Sequence, residues 1–302
     1  MNLIKLAQAL KKEVKGIIKV SEAMSRHTTW RIGGPADLFF TPVDWMDLEI
    51  ALKFASLEKL PVTIIGGGSN LLVRDEGIRG LVIHTGGGLK KIKINGEEVI
   101  AEAGVKLPFL ANRVAASGLS GLEFATGIPG TVGGAVIMNA GAHGSSMGDV
   151  VTSVVAMDLQ GRLLYFNNED LEFTYRFSKL KNLDVIVIEI HFKLRRGDVL
   201  EIKAQMEKNL EFRKDKQPWE YPNAGSVFKN PPGDSAGRII DSIGAKGWQV
   251  GKAKVSDKHA NFIVNLGGAS SADVLALIDK IQKEVYKKYK LFLEPEILIM
   301  GG

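Results

Sequence analysis

One stretch narrows the possible folds of this chain more than any other. Residues 125–144 read ATGIPGTVGGAVIMNAGAHG, six glycines and one proline set among apolar residues, with no lysine, arginine or acid. Its apolar side chains call for burial, so it is not a surface linker. A buried irregular backbone must still satisfy its N–H and C=O groups. Two arrangements do this. The segment is a turn-rich piece of core, or it lines an extended nucleotide cofactor whose phosphates and hydroxyls supply the missing partners. Glycine is the outlier of the whole composition, at 34 of 302 residues, against a usual share of about 7%. Glycine loses more entropy on folding than any other residue. A chain that concentrates it needs tight turns, or backbone held close to something.

A second burst, TIIGGGSNLLV, places Gly66, Gly67, Gly68, Ser69 and Asn70 directly after a short apolar strand. Successive unhindered N–H groups can form a concavity that binds anions. The familiar versions do not fit. Leu71 stands where a dinucleotide fingerprint has its third glycine, and no Gly-Lys-Ser/Thr of a P-loop follows. A nucleophile elbow around Ser69 needs a glycine at 71. A plain tight turn and a phosphate cradle of another kind both remain.

The rest of the pattern predicts an α+β layout. Leu3, Leu6, Leu10, Val14 and Ile17 recur at helical spacing, which predicts an amphipathic helix over 1–20. Further helices are predicted over 107–117, 199–213, 235–243 and 271–288, the last opened by a Ser270/Asp273 capping box. VTSVVAMDLQGRLLYFN reads as a hairpin turning at Gln160-Gly161. DVIVIEIHFKL is nearly continuous in apolar residues at its start, which predicts a central strand. The expected divisions are 1–80 with a returning strand at 294–302, then 81–200, then 201–293.

Several function classes drop out. The chain has no cysteine, so disulfides, thiolate metal sites and cysteine catalysis are excluded. The five histidines lack metal-ligand spacing. A net charge of +5 and a pI of about 9.1 suit an anionic small molecule, and no nucleic-acid motif accompanies them. Lysines interrupt each apolar run of the N-terminus, and no window holds 18 apolar residues. A cytoplasmic monomer that binds neither membrane nor nucleic acid is expected.

The ionisable groups are individually weak signals. Tyr175 and Arg176 adjoin in FTYRFS; on a strand they would face opposite ways, and the arginine could clamp a carboxylate. Glu294 and Glu296 share one face of an extended segment. Ser226 opens a Ser-x-x-Lys, SVFK, but the Lys-Thr-Gly that acyl-transfer enzymes also need is absent. No histidine suits a Ser-His-Asp order with it.

Taken in order, TTWRIGGPAD, IIGGGSNLLVRDEG, GLEFATGIPGTVGGAVIMNAGAHG, YRFS, KQPWEYPNAGSVFKNP, AGRIIDSIGAKG, HANFIVN and LEPEI carry a resemblance. The whole chain resembles the UDP-N-acetylenolpyruvoylglucosamine reductase (MurB) family, flavoenzymes of peptidoglycan precursor synthesis. The resemblance implies an FAD-binding fold of the vanillyl-alcohol-oxidase (PCMH-type) class in two subdomains, plus a smaller α/β substrate-binding domain. It implies non-covalent FAD, with NADPH as hydride donor and a small-molecule UDP-sugar as substrate.

By the same resemblance Gly66, Gly67, Gly68, Ser69 and Asn70 follow the FAD pyrophosphate. Gly127, Gly130, Thr131, Gly133, Gly134, Asn139 and Gly141 line the cofactor. Ser226 is the proton donor, with Arg176 and Glu296 stabilising charge on the substrate carboxylate. Tyr175, Lys216 and Asn230 match substrate-contacting positions, and no metal is implied. YRFSKLKNLDVIVIEIHFKL is too short to hold the extra substrate-covering loop of the longer family form, so this chain resembles the shorter one. An FAD-dependent oxidase of the same fold, which needs no proton donor like Ser226, is the sibling reading. A colourless binding protein is the third.

Overall fold

The structure, a computed structural model, describes residues 2–302. The backbone falls into two compact units. One holds the chain up to Ser21, Asp37–Gly67 and Gly80–Phe212; the other holds Glu22–Ala36, Gly68–Arg79 and Arg213–Gly302.

The first unit has two cores. In one, a four-stranded sheet in the order Ile17–Ala23, Pro35–Thr41, Ile78–His84, Val62–Ile65 is joined by helices Leu3–Glu13 and Trp45–Leu57. Leu10, Leu38, Phe40, Leu48, Leu52, Leu81 and Ile83 are buried there. In the other, an antiparallel five-stranded sheet runs in the order Leu163–Asn167, Val151–Asp158, Val185–Lys193, Glu98–Glu102, Ile92–Asn95. Helices Leu107–Ala116 and Val132–Ile137 pack within this second core.

Val185–Lys193 is central, as its apolar start predicts, because it serves both cores. Ile186 and Ile188 belong to the first. Val187, Ile190 and Phe192 belong to the second. Strict alternation could not put 187, 190 and 192 together. A bulge does: Val155 pairs with Glu189 but Ala156 pairs with Val187. The extra residue, Ile188, flips the parity of the strand. Its carbonyl is not wasted, since it accepts from Ala103 N at 2.8 Å.

The second unit has a three-stranded antiparallel sheet, Gln249–Val250, Ala253–Val255 and Ile263–Asn265. Against it lies helix Ser271–Tyr289, with the predicted Ser270/Asp273 capping box and buried Val274, Leu277, Ile278, Ile281 and Val285. Leu298–Met300 pairs in parallel with Leu71–Val73. Asp75 sits at the N-terminus of the long helix, accepting from Ser271 N at 3.0 Å and Ser271 Oγ at 2.8 Å. Burial pushes its carboxyl up, but the hydrogen bonds from Ser271 and Ala272 outweigh this and hold it below its ordinary value.

Three expectations are corrected. The first helix ends at Glu13, and Ile17–Ala23 is a strand. Gly16 forces the change: a Cβ there would lie 2.2 Å from Thr41 O. The glycine-rich segment, read as irregular, contains the helix Val132–Ile137. The compact units also differ from the expected divisions, because 22–36 and 68–79 pack with the C-terminal third. Trp30 is the reason. It is fully buried in that core, donates Nε1 to Ile263 O at 2.8 Å, and its own carbonyl accepts from Asn265 Nδ2 at 2.9 Å.

Trp30→Ala is therefore expected to destabilise the second unit by about 3–5 kcal/mol, measured by urea unfolding. A loss below ~1 kcal/mol would show that this side chain does not anchor the unit.

Candidate active site

The glycine run crosses from the first unit to the second between Gly67 and Gly68. In the first unit it lies against the start of the other glycine-rich segment. A Cβ on Gly66 would fall 2.4 Å from Thr131 Oγ1, and one on Gly67 would fall 2.8 Å from Gly130 Cα. In the second unit Gly68 has φ +63°, and a Cβ there would meet His27 O at 1.9 Å. A side chain at Gly66 displaces the Thr131 hydroxyl, and one at Gly67 or Gly68 displaces backbone.

The amides of Gly67, Gly68, Asn70, Gly130 and Thr131 give no hydrogen bond to any described residue, although neighbouring groups are paired. Unengaged N–H donors on a backbone with no side chains to obstruct approach suit the oxygens of a diphosphate. Within the first unit, the amides of Gly67, Gly130 and Thr131 make a donor set that fits a phosphate of FAD. Within the same segment the roles divide. Gly133 packs on Ala103, where a Cβ would meet Ala103 Cβ at 2.8 Å, and its amide donates to Ala103 O at 2.9 Å. Gly134 is exposed, and its amide turns back on the capping Thr131 Oγ1 at 3.4 Å.

Asn139 and Gly141 lead to the Tyr175–Arg176 pair. Residues 174–177 form a tight turn rather than a strand, with Thr174 N on Phe177 O at 3.1 Å and Phe177 N on Thr174 O at 3.2 Å. Asn139, itself at φ +41°, donates Nδ2 to Thr174 O at 2.9 Å and accepts from Gly148 N at 2.9 Å. Its amide ties the turn to the end of helix Val132–Ile137. Arg176 adopts φ +57°, a conformation that suits glycine or asparagine in such a turn. Its Nη1 reaches Gly141 O at 3.4 Å, and its guanidinium carbon lies 5.4 Å from the Tyr175 ring centroid. Tyr175 is more than half exposed. A strained arginine held by neighbours is the kind of outlier found at binding sites.

In the second unit the segment carrying Ser226 is held along both edges. Val227 N donates to Asn261 O at 2.9 Å, and Val227 O accepts from Glu296 N at 2.8 Å. Phe228 N donates to Asn261 Oδ1 at 2.9 Å, and Phe228 O accepts from Asn261 Nδ2 at 2.8 Å. Lys229 N donates to Glu294 O at 2.9 Å, and the two side chains form an ion pair. Asn70 fixes the Glu296 side of this pairing: its Nδ2 donates to Glu296 O at 3.1 Å, and its carbonyl accepts from Leu298 N at 2.9 Å.

Ser226 is half-buried, follows Gly225 at φ +77°, and its hydroxyl gives no hydrogen bond to any described residue. The structure thus brings Ser226, Glu296 and Asn70 into one hydrogen-bonded frame. Asn230 lies further on, accepting Ala236 N at 3.0 Å. Lys216 ends helix Val199–Lys216, with its ammonium 2.9 Å from Asp215.

Sequence reasoning missed Asn261 and Asn223. Asn223 pins the loop before Ser226 by donating to Pro218 O and Tyr221 O and accepting Gly225 N. The only signal was their place in motifs otherwise read for Ser226 and for a strand.

The backbone of Arg176 makes a separable expectation. Arg176→Gly relieves a left-handed conformation that disfavours side chains by roughly 1–2 kcal/mol. The melting temperature should stay level or rise. A fall of more than about 5 °C would show that the guanidinium, rather than the turn, holds this region together.

Comparisons with known proteins give the chain a family. Residues 36–167 match an FAD binding domain family model, and residues 217–300 match the C-terminal domain of UDP-N-acetylenolpyruvoylglucosamine reductase. The UDP-N-acetylenolpyruvoylglucosamine reductase of Moorella thermoacetica is 47% identical over 301 residues, covering 100% of this chain and 99% of that one. That of Bacillus subtilis is 43% identical, covering 99% of each. The crystal structure of the Thermus caldophilus enzyme superposes with a TM-score of 0.82 at 37% identity, covering 95% of this chain and 99% of that one. A berberine bridge enzyme variant, at 15% identity, TM-score 0.50, and 64% and 44% coverage, shares the fold. The FAD-binding fold is therefore of the expected PCMH type, and the chain belongs to the UDP-N-acetylenolpyruvoylglucosamine reductase family.

Proposed function

We propose that this protein reduces the enolpyruvyl group of UDP-N-acetylglucosamine enolpyruvate to UDP-N-acetylmuramate, a step of peptidoglycan precursor synthesis, with NADPH as the electron source. Bound FAD supplies the hydride carrier between the two substrates. In the first unit the amides of Gly67, Gly130 and Thr131 would hold a phosphate of its diphosphate.

Reduction of the double bond adds a hydride to one carbon and a proton to the other. The carbon beside the carboxylate becomes carbanion-like as the hydride arrives. Ser226 Oγ gives it the proton. A hydroxyl is a weak acid in water, but this centre is a strong base, and fixed positioning removes much of the remaining barrier. Arg176 clamps the substrate carboxylate through paired N–H donors. Glu296, as the acid, donates to the same developing charge. Fixed donors of this kind contribute about 3–4 kcal/mol each. Lys216 and Asn230 meet the UDP portion, and the basic net charge favours capture of this acidic substrate.

One observation carries the reading. A serine hydroxyl without an internal partner is presented by a backbone segment whose next two residues, Val227 and Phe228, are paired at both N–H and C=O, with Glu296 on the adjoining edge. An oxidase of the same fold has no use for that donor.

Two outcomes follow. Ser226→Ala should leave flavin reduction by NADPH within about twofold of wild type and slow flavin reoxidation by the enolpyruvyl sugar by about 10² or more, followed by anaerobic stopped-flow absorbance. Reoxidation at the wild-type rate would remove Ser226 as the acid. Gly67→Val should lower the flavin-to-protein ratio after gel filtration, because its side chain would displace Gly130. An unchanged ratio would place the diphosphate elsewhere.

A further inference from the structure

We infer that Asn261 is the positioning residue for the Ser226 hydroxyl, acting through the backbone of Val227 and Phe228. This rests on the proposed role of Ser226 as proton donor.

The carboxamide of Asn261 does what a neighbouring strand would do. Its Oδ1 takes the N–H of Phe228 at 2.9 Å, its Nδ2 gives to the C=O of Phe228 at 2.8 Å, and its main-chain carbonyl takes the N–H of Val227 at 2.9 Å. No strand is present on that edge, and a single side chain replaces it. The Val227 contact is the decisive one, because that N–H belongs to the peptide group that begins at Ser226. Holding this peptide plane fixes the Cα–C axis of Ser226, about which its Cα–Cβ bond turns. The opposite edge is held by Glu296 N on Val227 O at 2.8 Å. Upstream, Gly225 at φ +77° is held by its own N–H, which donates to Asn223 Oδ1 at 3.0 Å.

Asn261 is itself rigidly seated and 3% exposed. Its amide donates to His259 Nδ1 at 3.2 Å. That bond needs an unprotonated Nδ1, and burial, followed by the charge of Lys246, lowers the His259 pKa. Ser256 Oγ accepts from Lys258 N and His259 N, and Ser256 N returns to Phe262 O at 2.8 Å. Residues 256–262 thus form a closed loop from which the Asn261 side chain reaches Phe228.

Proton transfer is sensitive to placement, and a shift of about 1 Å lowers rate by roughly 10². The primary variant is Asn261→Asp, which keeps the acceptor for Phe228 N and loses the donor to Phe228 O. Flavin reoxidation by the enolpyruvyl sugar should slow by about 10². Flavin reduction by NADPH and the apparent Kd of the sugar should stay within about threefold of wild type. In a Ser226→Ala background the same change should have no further effect on reoxidation, since interacting residues depart from additivity.

Equal slowing in both backgrounds, or equal slowing of both half-reactions, would overturn the inference and make Asn261 a general stabiliser. The wild-type protein gives a second measurement. The amides of Val227 and Phe228 should exchange with deuterium as slowly as those of helix Ser271–Tyr289, and rapid exchange would sink the clamp without any variant. Failure of wild-type protein to be reoxidised by the enolpyruvyl sugar would instead strike the proposed function itself.

Discussion

Close approach of backbone to backbone is the constraint on which this structure rests. Gly67 lies so near the Gly130 backbone that no Cβ fits, and Gly68 lies as near His27. Such contact removes side chains from the surface and leaves amides without internal partners. Gly67 is exposed, so its unpaired amide is open to an anion from solvent. The geometry that packs these loops thus also leaves donors at the surface.

A second device recurs: asparagine side chains stand in for missing strands. Asn139 holds the Tyr175–Arg176 turn, Asn70 holds Glu296, Asn261 holds Phe228, and Asn265 holds Trp30. Each carries a donor and an acceptor on one planar group, so it can pair both faces of a peptide where a ladder stops. Asn261 and Asn265 are nearly fully buried, where an unpaired amide would be penalised heavily. The Tyr175–Arg176 turn and the Val227–Phe228 segment are consequently held by side-chain amides where no strand adjoins them.

Much of the architecture was readable from residue order. Helix Ser271–Tyr289 follows from its capping box and apolar stripe, and the centrality of Val185–Lys193 follows from its apolar run. These signals are local, and local physics produces them. Other features were not readable. Val14 and Ile17 fit a helical period, but Gly16 is pressed against Thr41, so the helix stops at Glu13. The helix Val132–Ile137 hides in a segment whose glycines argue against helix; packing of Gly133 on Ala103 selects it. The turn at Arg176 could not be told from a strand, because an arginine at positive φ contradicts the propensity on which such readings rely.

What the amino-acid order determined by itself is the chemistry available: glycine runs with little side chain, a segment without lysine, arginine or acid, a serine behind a glycine, an arginine and a glutamate. These depend on residue type and near spacing, which a linear chain displays. Only tertiary structure decided which amides stay unengaged, which face of Ser226 is held, and that Trp30 and Leu72 belong to the C-terminal core. Those outcomes depend on contacts between residues as far apart as Trp30 and Ile263. Hydrogen bonds and packing are satisfied by whatever is nearest in space, and nearness in space is absent from the order of residues along a chain.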